Sequence, residues 1–574
     1  MKICQVPPNL IEAMSLKSER LGPLPIVNHV LDKLGLEALL ERFVPTADGR
    51  VKFPYAAALG VLLRSILVER EPIYRQQEMV STFAPDVFGL RPALVPHLHD
   101  DAVGRALDQL FDADRATLLT EVVVSAAERF GVSLTELHND STSISLCGQY
   151  ANASGRSIRG KQAPFVTYGH SKDHRPDLKQ LLFILTTSAD GAVPVQFRCE
   201  AGNASDARTH EETWDALCKA TGRRDFLYVA DSKLCSRAPM DHIDQGHGRF
   251  VTVLPRSRKE DAAFRAWIQD NQPAWQLVVD RPNPRRRNGP RDRWWTCRAE
   301  LPSREGWPIV WVWSSLGALH QEHARHERLV RAKDELTALA ARLAAPRPRL
   351  KAKGEIEAHI EALLGKRHVD RYLKVNLVQS EDHTFRQDGP GRPGPKTRYV
   401  RKTRKFWSLT WHLDEEAIAY DRKSDGMYPL LTNDRKLTDA DVLLAHKHQP
   451  TIEKRFEQAK TVHEIAPVLL KNEGRIEALF FLYFLALLVS ALLERELRLA
   501  MKRADIPDLP IYPEERTSEK PTADQMFRLF SHVQRHILFC DGVAVRAFPP
   551  ELTEIQLQVL SLLGVPTTAF QHVT

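Results

Sequence analysis

The chain has 574 residues, long enough for about three or four domains with sizeable cores. Hydrophobic content of 43% and charged content of 27% are ordinary for a globular protein, and a net charge of +7 (80 basic against 73 acidic) is too modest to identify a polyanionic partner by itself. The seven cysteines are scattered with no Cys-x-x-Cys pair, which argues against a disulfide framework and a structural zinc site and suits a reducing cytoplasm.

Residues up to about 130 carry helical apolar spacing, at Ile26–Leu34, Ala56–Leu63 and Ala106–Phe111. Asp100 and Asp101 are placed to cap the last of these helices, and Asp112 or Asp114 to begin the next. The first fifteen residues lack a basic start followed by an apolar run, so no signal peptide is expected. From about 132 the pattern changes to short β-rich runs. Strands are expected at 133–145 and 180–187, with a turn at Ala189-Asp190-Gly191 leading into a hairpin partner at 193–197. A helix follows at 209–220, then buried strands at 226–230 and 250–254. Strand, hairpin, helix, strand is the order of an RNase-H-like α/β core.

Between about 256 and 440 this core is interrupted. Pro282–Pro290 reads as a loop, and tryptophan-rich strands follow at 293–298 and 309–314. A long helix from about 318 to 345 keeps Leu329, Ala332, Leu336, Leu339 and Leu343 in 3-4 spacing, which suits a hairpin with Ile356, Ile360 and Leu363 on a return helix. Gly389–Pro395 breaks the chain again before strands at 405–413. The run 478–493 is sixteen mostly apolar residues bracketed by charges, shorter than the roughly 20 a membrane span needs, so it is expected to be a buried core helix. The expected domains are a helical one at 1–130, for DNA-end binding or dimerisation, and a catalytic core at 131–256 and 441–504. An insertion at 257–440 and a helical tail at 505–574 complete the chain.

Three carboxylates carry the chemistry. Asp231 follows Phe-Leu-Tyr-Val-Ala, a strand buried on both faces, and the carboxyl end of such a strand is where α/β folds bind ligands; the alternative is a helix N-cap. Asp140 sits among Asn139, Ser141, Thr142 and Ser143, unusually polar for a central strand, so these side chains either line a cleft or cap a turn. Glu453 shares a helix face with Glu457 and Lys460, beside an apolar stripe of Ile452, Phe456 and Ala459. Its alternative is a solvated charge face.

Order and spacing of the three resemble a DDE transposase of bacterial insertion sequences. In the insertion sequence 4 superfamily the third motif reads Tyr-x2-Arg-x3-Glu-x6-Lys. Glu453-x6-Lys460 keeps its second half, while His446 and Gln449 stand at the tyrosine and arginine positions. The string from Tyr168 to Gln180, together with Asp425-Gly426, Leu431-Thr432-Asn433 and Arg475-Ile476-Glu477-Ala478-Leu479, resembles the insertion sequence 1634 type of that branch. The resemblance covers roughly 132–500, with 20–125 similar to the helical domain that precedes it.

That resemblance implies that Asp140, Asp231 and Glu453 hold two Mg²⁺ or Mn²⁺ ions, which cut an element's ends and join the 3′-hydroxyls to target DNA. Lys460 would contact a phosphate near the cut, with His446 and Gln449 at positions that hold the DNA terminus in relatives. The partners implied are terminal inverted repeats and target DNA, with a homodimer to bring two ends together, in the bacterial cytoplasm near the nucleoid and with no membrane. Three basic stretches fit a DNA partner. Arg285, Arg286 and Arg287 precede Trp294 and Trp295, a mixture suited to backbone contact and stacking; Lys396–Lys405 is a second run; Lys172 and Arg175 lie beside the catalytic strands. His170 and His174 are spaced for a metal, but Gly169 and Pro176 argue against the helix that would pair them. Two other readings stay open: a metal-dependent nuclease of the same fold without strand transfer, and an inactive DNA-binding relic.

Overall fold

The computed structural model describes residues 14–571 apart from 151, 152, 154, 205, 284, 285, 287, 467, 469, 513 and 515. The chain forms two compact units, one of residues 1–252 with 444–574 and one of 253–443.

In the first unit a five-stranded mixed sheet is built from β1 (Glu136–Leu146), β2 (Lys179–Ser188), β3 (Pro194–Ala201), β4 (Leu227–Ala230) and β5 (Arg249–Val253), in the order β3-β2-β1-β4-β5. β1, β2 and β3 are antiparallel neighbours. β4 lies parallel to both β1 and β5, reached through helices α1 (Asp206–Thr221) and α2 (Arg237–Gln245). The β2–β3 turn uses Gly191 at φ 80° and Ala192 at φ 52°. β2 and β4 are buried almost throughout, as their unbroken apolar runs require.

The apolar run at 478–493 lies inside helix α4 once the short α3 (Pro450–Glu457) is counted; α4 spans Glu473–Arg503, and Asn472 caps it by accepting from the Arg475 N–H. By length and composition α4 could cross a membrane, but 94% of its apolar window is buried inside the protein. It packs against β3 and against the helices Leu24–Leu34, Tyr55–Val68 and Asp100–Asp112. The Arg475-x-Glu477 motif serves this docking: Arg475 holds Asp108 at 2.6 Å and Glu477 holds Arg115 at 2.8 Å. The Asp100–Asp112 helix is capped not by its aspartates but by His99, which accepts from the Ala102 N–H. Asp114 caps the next helix, as its position predicts.

The segment 505–574, expected to be helical, carries two strands, Gln534–Cys540 and Val543–Phe548, between the helices Ala523–Phe530 and Glu554–Leu563. The first of them pairs antiparallel with Met14–Arg20. The turn joining the two strands is Asp541-Gly542, both residues at positive φ (51° and 78°), the requirement of a two-residue type I′ hairpin.

In the second unit the strands Gln276–Arg281, Asp292–Arg298, Ile309–Ser314 and Met427–Thr432 pair antiparallel in that order. Helices Ser315–Ala344 and Lys353–Arg367 form the expected hairpin, and Leu329, Ala332, Leu336, Leu339, Leu343, Ile356, Ile360 and Leu363 share one core. That core is completed by a long two-stranded ribbon, Leu373–Gln387 with Tyr399–Leu413, whose first strand the apolar pattern did not announce. Gly389–Pro395 is its loop. Leu336 has no exposed surface, so Leu336→Ala is expected to cost the unit about 2–5 kcal/mol in urea unfolding.

Candidate active site

The parallel register of β1 and β4 brings two of the three carboxylates together. Asn139 is paired with Ala230, so Asp140 and Asp231 are the next residues on adjoining strands, whose axes lie about 4.8 Å apart. Asp231 does not cap a helix. Its Oδ1 accepts from the Lys233 N–H at 3.1 Å in a turn that ends β4, and α2 begins six residues later. Thr252 Oγ1 donates to the Asp231 carbonyl at 2.6 Å, tying that turn to β5.

Asp140 is mostly buried, and its Oδ1 accepts from the Ser141 N–H at 2.7 Å and from Lys172 Nζ at 3.3 Å. Burial is the largest influence and raises the Asp140 pKa. The Lys172 ammonium and the Ser141 N–H pull it down, and the neighbouring Asp231 charge pushes it up again. Lys172 is held by two further bonds: its N–H donates to Ser143 Oγ at 2.9 Å, and its ammonium donates to the Ser141 carbonyl. The glycine of the Tyr168–Gln180 string is required by packing, because a Cβ at Gly169 would overlap the Gly202 carbonyl. Gln180 Nε2 joins the same two chain segments by donating to the carbonyls of Gly202 and His170. His174 has φ 56°, and no helix forms between His170 and His174.

Helix α3 packs on β1 and β2. Pro450 stands at its first turn, where a missing N–H costs nothing. Ile452, Phe456 and Ala459 are buried as the stripe predicts, and Glu453 and Glu457 are exposed. Arg455 turns inward beside them. Its guanidinium pairs with Glu494 of α4 at 2.8 Å and donates to Gln458 Oε1 and to the carbonyls of Gly191 and Ala192. After Glu457 the helix widens into a π-turn, Gln458–Val462, which carries Lys460 to Asp173 at 2.7 Å. Lys460 is thereby tied to the loop that carries Lys172.

Gln449, at one of the two motif positions that depart from the resemblance, donates from Nε2 to the Asn139 carbonyl at 3.1 Å, and its Oε1 faces His138 Nδ1 at 3.0 Å. Burial, with the nearby His138 and Lys447, pushes the His446 pKa down to about 4, so its imidazole is neutral at physiological pH. Arg175 is exposed and paired with Asp177. Arg286 is exposed, while Arg285 and Arg287 lie outside the described residues. Trp294 and Trp295 are half-buried in the strand Asp292–Arg298; Trp294 donates to Asp292 and Trp295 stacks on Trp313 at 4.4 Å, so both rings are engaged within their own unit.

Glu453 stands on α3, which packs on β1 and β2, and is exposed. Among the described residues, two groups of three His, Asp or Glu have ligand atoms all within 4.8 Å of one another, and neither contains Asp140, Asp231 or Glu453. One of them, Glu136 with His138 and His448, adjoins the aspartates and was missed in the sequence. Its only trace there is the i, i+2 spacing of Glu136 and His138 on a strand face. Hydrogen bonds from His138 and His448 outweigh the opposing effect of burial and hold Glu136 at about 2.

Residues 16–124 match a family described as "Domain of unknown function (DUF4277)". No curated protein matches the chain. Among solved structures it is similar to a piggyBac transposase synaptic complex with hairpin DNA, at 10% identity over 79% of this chain and 75% of that one, with a TM-score of 0.23. It is also similar to a Mos1 transposase paired-end complex with the left transposon end, at 9% identity over 36% of this chain and a TM-score of 0.14. The chain spans 60% of the Mos1 chain's length. At these TM-scores the site's own geometry, not the overlays, has to carry the function.

Proposed function

We infer that the chain is a DNA transposase that cuts the ends of a mobile element and joins them to target DNA, built on an RNase-H-like core. One observation carries this reading: Asp140, within β1, and Asp231, just past the end of β4, follow a register pair of these parallel neighbours, in a sheet of order 3-2-1-4-5 with only the second strand reversed. The donor set fits hard divalent cations. Two carboxylates on adjoining strands repel each other, and the Lys172 ammonium at Asp140 marks where positive charge is already favoured. Asp140, Asp231 and Glu453 would hold Mg²⁺ or Mn²⁺. Bound there, two such ions would supply an activated attacking oxygen and neutralise charge on the leaving oxygen of a phosphodiester.

The chain's own groups do the positioning. Lys172, paired with Asp140, and Lys460, paired with Asp173 of the Tyr168–Gln180 segment, would offer point charges to phosphate oxygens near the cut. Arg455 and Gln449 hold α3, and with it Glu453, against the sheet. The finer assignment, to the insertion sequence 1634 type of the insertion sequence 4 superfamily acting as a homodimer, rests on the Tyr168–Gln180 string and the Glu453-x6-Lys460 spacing. In this chain Gln449, at the arginine position of that motif, bonds to Asn139 and His138.

The test is an in vitro reaction of the purified protein, Mg²⁺, and duplex oligonucleotides copied from the DNA flanking its gene, with a supercoiled target plasmid. Joined 3′-end products are expected. Cleavage without joining would make the protein a nuclease of the same fold. A folded protein that does neither would remove the proposal.

A further inference from the structure

A second polar cluster ties β1 to the chain entering α3. Glu136 and His138 lie on one face of β1, and His448 closes the helix Asp439–His448. A single oxygen, Glu136 Oε1, lies 2.9 Å from His138 Nε2 and 2.8 Å from His448 Nδ1. His138 is wholly buried, whereas 48% of the His448 side chain is exposed.

The neighbours determine where the protons are. A backbone carbonyl only accepts, so the bond from Gln449 Nε2 to Asn139 sets the orientation of the Gln449 amide. Its Oε1 therefore accepts from His138 Nδ1, which must carry a proton. His138 Nε2 and His448 Nδ1 converge on that one carboxylate oxygen, and the three ligand atoms all lie within 4.8 Å of one another.

We propose that Glu136, His138 and His448 form a binding site for a divalent transition-metal ion of the Zn²⁺ class, separate from the Asp140–Asp231 pair. Two imidazoles and one carboxylate suit Zn²⁺, Co²⁺ or Ni²⁺, whereas Mg²⁺ keeps to oxygen ligands. The bond from His138 Nδ1 to an amide oxygen is the outer contact that metal-ligating histidines make, and it fixes the tautomer that ligation needs. Around a tetrahedral ion, donors at about 2.0–2.1 Å from the metal sit roughly 3.3–3.4 Å apart. The two distances from Glu136 Oε1, 2.9 Å and 2.8 Å, would each open by about half an ångström to reach that spacing. The exposed side of His448 leaves a fourth position to water. Scattered cysteines could not announce this site, because it contains no thiolate. The ion would join a strand position two residues before Asp140 to a residue five before Glu453, setting the spacing of the first and third carboxylates.

The experiment is titration of the metal-stripped full-length protein with Co²⁺, read by its visible absorption, followed by competition with Zn²⁺. One equivalent is expected to bind, and Zn²⁺ to displace it and raise the thermal midpoint. Because His448 is half exposed, His448→Ala should fold, as circular dichroism will check, and should weaken Co²⁺ binding at least tenfold; Glu136→Gln should do the same. The double variant Asp140→Asn/Asp231→Asn should bind Co²⁺ as the native chain does. Absence of a stoichiometric Co²⁺ signal, its survival in both His448→Ala and Glu136→Gln, or its loss in the double variant would overturn the assignment. None of these readouts depends on whether the protein cuts DNA.

Discussion

Asp140→Asn and Asp231→Asn should each lower DNA-end cleavage by about a thousandfold or more, with the thermal midpoint nearly unchanged. A divalent ion contributes several kcal/mol of charge stabilisation at a phosphoryl transfer, and each 1.36 kcal/mol is a factor of about ten in rate. Asparagine keeps the shape and the acceptor oxygen of aspartate but not its charge. It can still accept from the Ser141 N–H at position 140 and from the Lys233 N–H at position 231, so both local turns persist. At Asp140 the change also removes a charge that burial disfavours. Glu453→Gln, on an exposed helix face, should behave likewise. The measurement is cleavage of end-bearing duplexes in Mg²⁺ alongside a denaturation curve for each variant. Undiminished cleavage in all three would show that the wrong carboxylates have been chosen.

Arg455→Met is expected to destabilise the unit of residues 1–252 and 444–574 by about 3–5 kcal/mol. Arg455 and Glu494 are both nearly inaccessible, and their pair is buttressed at both ends. The guanidinium also satisfies the carbonyls of Gly191 and Ala192 in the β2–β3 turn, while Glu494 Oε1 accepts from the Ala523 N–H. Methionine fills much of the volume but leaves the two carbonyls without this donor and the buried carboxylate with only Arg498, at 3.5 Å, and the Ala523 N–H. Arg455→Lys should cost less, since it keeps the charge but loses the fork that reaches four acceptors. Urea unfolding measures both. A loss under about 1 kcal/mol for Arg455→Met would mean that α3 is held by its apolar stripe alone.

Periodicity made much of the fold legible. The 3-4 spacing of Leu329–Leu343 marked a long helix because a helix buries only one stripe, and the sixteen apolar residues at 478–493 marked a core helix because no face of it is left to water. The ribbon strand Leu373–Gln387 escaped notice because it is exposed along most of its length, so no alternation is imposed on it. The C-terminal hairpin, in a segment expected to be helical, turns on Asp541-Gly542, and its strand partner Met14–Arg20 lies more than 500 residues away, beyond any local pattern.

For the site, residue type and order singled out Asp140, Asp231 and Glu453, and a carboxylate at the end of an apolar strand is a local signal. Which atoms face one another is not local. The register of β1 on β4 set the two aspartates side by side, and the inward turn of Arg455 left Glu453 outward. Gln449 and His446 looked like DNA contacts from their motif positions, yet packing of α3 on β1 directed Gln449 to His138 and Asn139. The sequence by itself marked the elements that bury a regular apolar stripe or run and the acidic residues that type and order single out, because periodicity and charge act over neighbouring residues. Only the tertiary structure decided which polar groups meet and which are satisfied internally, because pairing across hundreds of residues depends on strand register and buried hydrogen bonds.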